Sequence, residues 1–288
     1  MNTFDKLVDA AIKNQPNLAL LKVVVEKELL HHDILRIMSQ NNLLDPLTFI
    51  GGTCLRCCYG SPRLSEDLDF TGGADFTRNQ LSIMGEILID NLSEKYQLLV
   101  KVSEPIKDST NVSTWKLKIE TRPGQSDIPT QRINIDICSV TSYEMQPARL
   151  LNHYRVDMGT RGLAINAQSL EEIYTDKLLA FAGRINRIKY RDLWDILWLD
   201  QQGIKPRLEL IKNKLDERNL SFNHFIQTYA ERRESLSSDP SIKSGYKAEM
   251  QRFLTTEEVA RTVDNDGLWL FLVDHMADLE RQIKRLYG

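Results

Sequence analysis

The hydrophobic period of this chain changes near residue 165, and that change restricts the fold more than any single motif. Before it, segments 97–102, 114–120 and 132–139 are β-rich. In the third, Ile133, Ile135 and Ile137 alternate with Asn134 and Asp136, the period-two signature of a half-buried strand. After it, nearly every segment repeats its apolar residues at helical spacing. Ser169-Leu170-Glu171-Glu172 is an S-x-x-E capping box that opens a helix through about Ala182. Further helices are predicted over 191–200, 206–218, 221–235, 245–254 and 267–286, with the Ser-rich stretch Ser235 to Ser244 as a loop. The class that follows is α+β: a mixed sheet with flanking helices over residues 1–165, N-terminal helices included, then a helical domain over 166–288.

The first 45 residues read as helix, stopped by Asp45-Pro46 because the residue before Pro avoids the α region. Leu47 to Ile50 suits a buried strand. Gly51-Gly52-Thr53 reads as a turn, Cys54 to Tyr59 as a short helix, Glu66 to Thr71 as a strand and Thr77 to Lys95 as a helix. Lys+Arg total 37 against 40 Asp+Glu, a net charge of -3, which argues against a strongly basic nucleic-acid binder but leaves room for a local basic surface. No apolar run approaches the ~20 residues of a membrane helix. The first residues lack the blocks of a secretory signal, so no membrane role and a cytoplasmic location are expected. Cys54-Leu55-Arg56-Cys57 has CxxC spacing, but no second pair or nearby His pair completes a zinc site, and the cysteines read as core. The five histidines show no ligand spacing. Trp194, Trp198 and Trp269 read as core.

The chemistry-bearing stretch is Gly51-Gly52-Thr53 followed by Asp67-Leu68-Asp69. Two carboxylates two apart on a strand share a face and repel each other; a divalent cation removes that repulsion. Mg²⁺ (or Mn²⁺) is the natural choice, since it takes one or two carboxylates plus substrate phosphates. Asp136, on a later strand, is a third candidate ligand, and three acids on adjacent strands suit phosphoryl displacement. Glycines before a helix let a backbone approach a phosphate, and Thr53 adds a hydroxyl. In the helical half, Lys177 and Arg184 are seven apart on one face, as are Asp192 and Asp195 three apart. Arg63 is a further phosphate candidate, or a partner for Glu66 or Asp67.

In combination these residues resemble the polymerase-β-like nucleotidyltransferases, and more closely their AbiEii/AbiGii toxin branch, which includes the MenT toxins. The resemblance rests on Gly51-Gly52-Thr53-Cys54-Leu55-Arg56, Arg63-Leu64-Ser65-Glu66-Asp67-Leu68-Asp69-Phe70, Lys177-Leu178-Leu179-Ala180, Arg184 and Arg191-Asp192-Leu193-Trp194-Asp195-Ile196. It spans residues 49 to 200. It implies a toxin of a toxin–antitoxin or phage-defence system that moves a nucleotide from an NTP to an acceptor, the tRNA 3′ end in some relatives, and so blocks translation. A cognate antitoxin protein is the implied partner. By position, Asp67, Asp69, Lys177 and Asp195 would be catalytic, with Asp67, Asp69 and Asp136 on the metal. Gly51, Gly52, Thr53, Arg63, Lys177, Arg184 and Asp192 would bind nucleotide. Thr53 stands where many relatives carry Ser.

Two other readings share these residues. The same site suits a small-molecule nucleotidyltransferase of the antibiotic-modifying type, or a phosphotransferase acting on a protein. A non-catalytic nucleotide- or partner-binding module is the reading from another class, and intact Asp67 and Asp69 argue against it. An RNA acceptor needs basic surface on an acidic chain. Lys116, Lys118, Arg122 and Arg132 form one candidate cluster, and the denser Arg184, Arg187, Lys189 and Arg191 another.

Overall fold

Strand β1 (Thr48–Ile50) pairs antiparallel with β2 (Leu68–Thr71), placing Ile50 opposite Asp69 in the middle of a seven-stranded sheet. The strand order is β3-β4-β5-β2-β1-β7-β6. β3 (Leu99–Ser103), β4 (Val112–Glu120) and β5 (Gln131–Cys138) form an antiparallel meander. β5 runs parallel to β2, and β1 runs parallel to β7 (Ala164–Gln168), which pairs antiparallel with the edge strand β6 (Met145–Arg149). The sheet is therefore mixed, as expected from the sequence. The computed structural model describes residues 2–105, 111–124, 130–184 and 187–288, and the chain divides into two compact units, Met1–Gln168 and Ser169–Gly288.

Alternation decides the two faces of the sheet. Leu68, Phe70, Trp115, Leu117, Ile119, Ile133, Ile135 and Ile137 are buried on one side. Asp69, Thr114, Lys116, Lys118, Arg132 and Asp136 lie on the other, half-buried or exposed. β6 and β7 escape the sequence reading. β7 is short and has one strong strand former, Ile165, among Ala, Asn and Gln, and β6 is a mostly exposed edge that tolerates Pro147.

Helix α1 (Thr3–Asn14) and the long α2 (Lys22–Gln40) precede the sheet, joined by a 3₁₀ segment from Pro16 to Leu21. Gly51-Gly52-Thr53 is not a turn before a helix but the first turn of α3 (Gly51–Tyr59). The predicted helix over 77–95 divides into a 3₁₀ turn (Arg78–Leu81) and α4 (Met84–Tyr96).

α2 buries charge as well as apolar surface. Glu28, 1% exposed, accepts from Arg56 Nε (3.1 Å), the Ser65 backbone N–H (2.9 Å) and the Tyr154 hydroxyl. Burial alone would raise its carboxyl; Arg56, Tyr154 and Ser65 outweigh that and hold it below the usual range. Arg56 also donates to the Ser61 carbonyl (3.0 Å). One carboxylate thus ties α2 to α3, to the loop before β2 and to residue 154. His31 and His32 follow it, both fully buried and both held neutral, His32 pushed down to about 4 by burial.

The second unit is helical. It comprises α5 (Leu170–Gly183), α6 (Tyr190–Gln201), α7 (Ile211–Asp216), α8 (Phe222–Ser238), α9 (Pro240–Met250), the short α10 (Thr256–Glu258) leading into a π-helical turn, and α11 (Asp266–Tyr287). Ser169 caps α5 through the Glu172 N–H, as its capping-box spacing suggests. The loop expected over 235–244 is corrected: α8 runs on to Ser238 and α9 begins at Pro240. Asp239 accepts from the Ser241 N–H as an N-cap, and Pro at the first helical position starts a helix rather than ending one. Lys214 is fully buried and answered by Glu172 (2.6 Å) and Asp176 (2.9 Å). Trp194, Trp198 and Trp269 are buried, as expected of core residues. Among the described residues no helix is long and apolar enough to cross a membrane.

The buried histidines predict acid sensitivity. His32 gains protons more readily unfolded (near 6.5) than folded (about 4), so its contribution is intact above pH 6.5 and is lost as pH falls through that window. The loss from His32 alone amounts to about 3 kcal/mol by pH 4, and His31 adds to it in the same direction. Urea denaturation between pH 7 and pH 4 checks this. In the variant His32→Asn the slope with pH should flatten.

Candidate active site

Two polar side chains of the first unit explain why residues 51 and 52 are glycines. Gly51 has φ +77°, a left-handed conformation that L side chains avoid, and a Cβ there would stand 2.8 Å from Asp69 Oδ2. A Cβ on Gly52 would stand 2.5 Å from Nη2 of the buried Arg63, which would have to shift. The Asp69 carboxylate thus lies directly over the start of α3 and the Arg63 guanidinium over the next residue. The open N–H groups of a helix start lie beside them.

The acids fall on one face by register. Asp69 pairs with Asp136 across the parallel β2–β5 ladder, and Asp136 pairs with Thr114 across the antiparallel β5–β4 ladder. Thr114 donates its hydroxyl to Asp136 Oδ1 at 2.6 Å. Asp67 stands just ahead of β2, and its Oδ1 accepts the Asn134 backbone N–H at 3.0 Å. The three carboxylates therefore come from two adjacent strands, Asp67 and Asp69 from β2 and its approach and Asp136 from β5. Their hard oxygen donors suit Mg²⁺. Among the described residues no group of three or more His, Cys, Asp or Glu closes a metal cage, and Mg²⁺ needs none, since it completes its shell with phosphate and water.

Thr53 and Arg63 take up positions unlike those expected of exposed phosphate ligands. The Thr53 side chain is fully buried, hydrogen-bonded with the Ser65 hydroxyl (2.7 Å) and the Asp67 carbonyl. Its hydroxyl fixes the approach to the Asp67–Asp69 strand. Arg63 donates to the Leu64 carbonyl (2.9 Å), while Glu66 is paired with Lys27 (2.8 Å). Glu28, Thr114 and Asn134 are supports that sequence reasoning missed. Only Thr114 had a visible signal, its place on the outward parity of β4. Cys54 and Cys57 are buried, and burial pushes both thiols well above their ordinary range, which suits packing rather than redox work.

The second unit gathers Lys177, Arg184, Asp192 and Asp195. Lys177 Nζ lies 2.8 Å from Asp192 Oδ1 and 2.7 Å from Asp195 Oδ2, and Arg184 Nε lies 3.2 Å from Asp192 Oδ2. α5 supplies Lys177, its C-terminal end supplies Arg184, and the first turns of α6 supply both acids. Burial opposes the charge on Asp192, but Lys177, Lys189 and Arg184 overcome it and hold the carboxyl far below its usual range. Burial pushes Lys189 down, and neighbouring Lys177 adds to that. Beside the cluster lies a cavity of about 520 Å³ whose lining includes Arg187, Lys189, Arg191, Arg232 and Glu249.

Two substitutions test these arrangements. Lys177→Ala leaves two buried carboxylates without their shared cation and should cost about 3–5 kcal/mol, read by urea denaturation. Gly51→Ala forces a side chain into left-handed backbone and against Asp69; it should cost about 1–3 kcal/mol and reduce activity by more than that loss of stability explains. Stability and rate are to be measured on the same preparation.

A family model described as nucleotidyl transferase AbiEii toxin, type IV TA system, matches residues 33–266. No curated protein matches the chain. Among solved structures, one from H. pylori, named there as a candidate nucleotidyltransferase, has a TM-score of 0.50 and 18% identity over 91% of this chain and 99% of its own. JHP933 from Helicobacter pylori has a TM-score of 0.48 and 17% identity, over 92% of this chain and 98% of its own. At these identities the first supports the fold and nothing finer. The family match spans most of the chain and takes in both clusters, from Gly51 to Asp195, so the chain belongs to the AbiEii nucleotidyl transferase toxin family of type IV toxin–antitoxin systems.

Proposed function

We propose that this chain moves a nucleoside monophosphate from an NTP to a nucleic-acid acceptor, the tRNA 3′ end, and that the modification blocks translation. The observation that supports it best is the parallel pairing of Asp69 with Asp136, on the face where Asp69 overhangs the glycine start of α3. Asp67 and Asp69 would hold Mg²⁺, with Asp136 as the third oxygen donor. When bound, the ion neutralises the NTP phosphates and the charge that develops on the leaving pyrophosphate. Gly51 and Gly52 let Asp69 and Arg63 close over the start of α3, and the first N–H groups of that helix would donate to a phosphate beside them. Asp69 and Asp136 position the acceptor hydroxyl and draw off its proton as its oxygen bonds to the α-phosphorus and the bond to pyrophosphate breaks. Thr53 and Ser65 keep the Asp67–Asp69 strand in register with that turn.

For the second unit we keep the implied roles as part of the proposal: Lys177 and Asp195 act in catalysis, and Lys177, Arg184 and Asp192 bind the nucleotide, with Asp192 and Asp195 also restraining the cations. Because Lys177 already faces two carboxylates, loss of activity in a Lys177 variant means something only beside its stability. Membership of a type IV toxin–antitoxin family implies an antitoxin counterpart.

The test is incubation of the protein with Mg²⁺, total tRNA and each α-³²P-labelled NTP in turn, beside Asp69→Asn. Label should enter tRNA from one NTP, fall at least about 100-fold in the variant and vanish with EDTA. No label in RNA from any NTP would overturn tRNA as acceptor and favour a small-molecule or protein acceptor. A biological effect that survives loss of both Asp67 and Asp69 would favour a binding module.

A further inference from the structure

The open face that carries the acids continues into a run of unopposed positive charge. Along β5, Asp136, Asn134 and Arg132 share the outward parity. The β4 ladder sets Lys118 directly opposite Arg132, and the β3 ladder sets Lys101 directly opposite Lys118. Three cations on three adjacent strands thus form one row across the sheet, with neighbouring Cβ atoms about 5 Å apart. Lys116, opposite Asn134 and Ser103, stands one row nearer the acids. All four are exposed, and among the described residues none has a carboxylate in salt-bridge range. Glu120 is the carboxylate on the same β4 face, at the far end of the run.

This arrangement costs stability. Like charges directly opposite each other on a sheet repel, and pairing with an acid on the next strand would remove the cost. Arg122, grouped with these residues from sequence, shows the contrast: it is tied to Asp5 (3.1 Å) and Glu26 (2.5 Å) and belongs to the scaffold. In the second unit, Arg184 and Arg191 are likewise engaged, by Asp192 and by Glu249 (3.2 Å). The cluster that looked denser in sequence is the more neutralised one, and the sheet row, with Lys101 added, is the one left open.

We infer that Lys101, Lys116, Lys118 and Arg132 form the track for the sugar–phosphate backbone of a polynucleotide acceptor, leading it toward Asp69 and Asp136. The inference rests on the nucleic-acid acceptor proposed above and adds the surface that holds it. From Arg132 to Asp136 is four residues, about 13 Å of strand. At about 3.4 Å of rise per phosphate on one helical strand, that length matches about four nucleotides. A regular row of exposed, flexible cations reads backbone charge rather than base sequence, so the track positions an acceptor without choosing among sequences.

The full-length protein and the triple variant Lys101→Gln/Lys118→Gln/Arg132→Gln are compared by fluorescence anisotropy with labelled tRNA and, separately, a labelled non-hydrolysable NTP. Salt is varied from about 50 to 200 mM. The triple variant should lose at least about tenfold in tRNA affinity at the lower salt, and its plot of log affinity against log salt should be shallower by about 2. NTP affinity should stay unchanged, and the thermal midpoint should be equal or higher, since repulsion has been removed. Lys118→Arg, which keeps the charge, should bind tRNA as the parent does. If the parent binds tRNA and the triple variant binds it equally, the track is overturned while the nucleotidyl-transfer proposal stands. If the parent binds no RNA, the nucleic-acid acceptor falls and the track with it. If poly-glutamate of matched charge competes as well as RNA, the face is a docking surface for an acidic protein and the RNA assignment is overturned.

Discussion

The buried carboxylate of Glu28 is the interaction on which the first unit's chemistry depends. It lies on α2, yet it determines where α3 and the loop before β2 meet, because Arg56 and the Ser65 N–H both converge on it. Ser65 then passes that placement to Thr53, and Thr53 to the carbonyl of Asp67. The chain of contacts runs from a helix that carries none of the three acids to the residue before the acidic strand. Removing a single partner would strand a charge in the core, whereas a well-satisfied network holds one geometry. The acids can therefore sit on a half-exposed face and still be fixed.

The second unit solves a related problem with opposite emphasis. Its acids are buried and its cations surround them, so Asp192 serves as an anchor for Lys177 and Arg184. Charges are paired before any ligand arrives. In the first unit Asp67 accepts a backbone N–H and Asp136 a hydroxyl, neutral donors where Asp192 has cations. One unit offers carboxylates suited to a cation; the other offers cations already restrained by carboxylates.

Much of this was legible in the chain. Asp67, Asp69 and Asp136 stand out because polar residues at period two inside an apolar strand share its outward face, although a solvated face fits that pattern too and only the preceding Gly51-Gly52-Thr53 and the family resemblance single them out. The second-half motif was visible through the family resemblance, since helical spacing alone equally fits a solvated basic face. Register was not legible: nothing local says that Asp69 lies beside Asp136, or that Lys101, Lys118 and Arg132 form a row, since those pairings join distant segments. Glu28 was hidden because a charge on an amphipathic helix is ordinarily solvated, and the identity of its partner depends on folding. Ser235 to Ser244 was misread for a different reason. Composition suggested a loop, while Asp239-Pro240 carried the cap and first-position signals of a helix start.

The two glycines at the head of α3 have a consequence for the order in which the molecule assembles. Each is about 1 kcal/mol poorer than Ala as a helix former, so the first turn of α3 gains little from its own sequence. It lies beneath the Asp69 carboxylate and the Arg63 guanidinium, and Asp69 reaches it only after β2 has paired with β1. The cradle is thus among the late parts of the first unit to order, after the long-range strand pairings that are themselves slow. A nascent or partly unfolded chain carries every residue of the motif and none of its geometry, so a protein of the toxin class acquires its dangerous shape only at the end of folding.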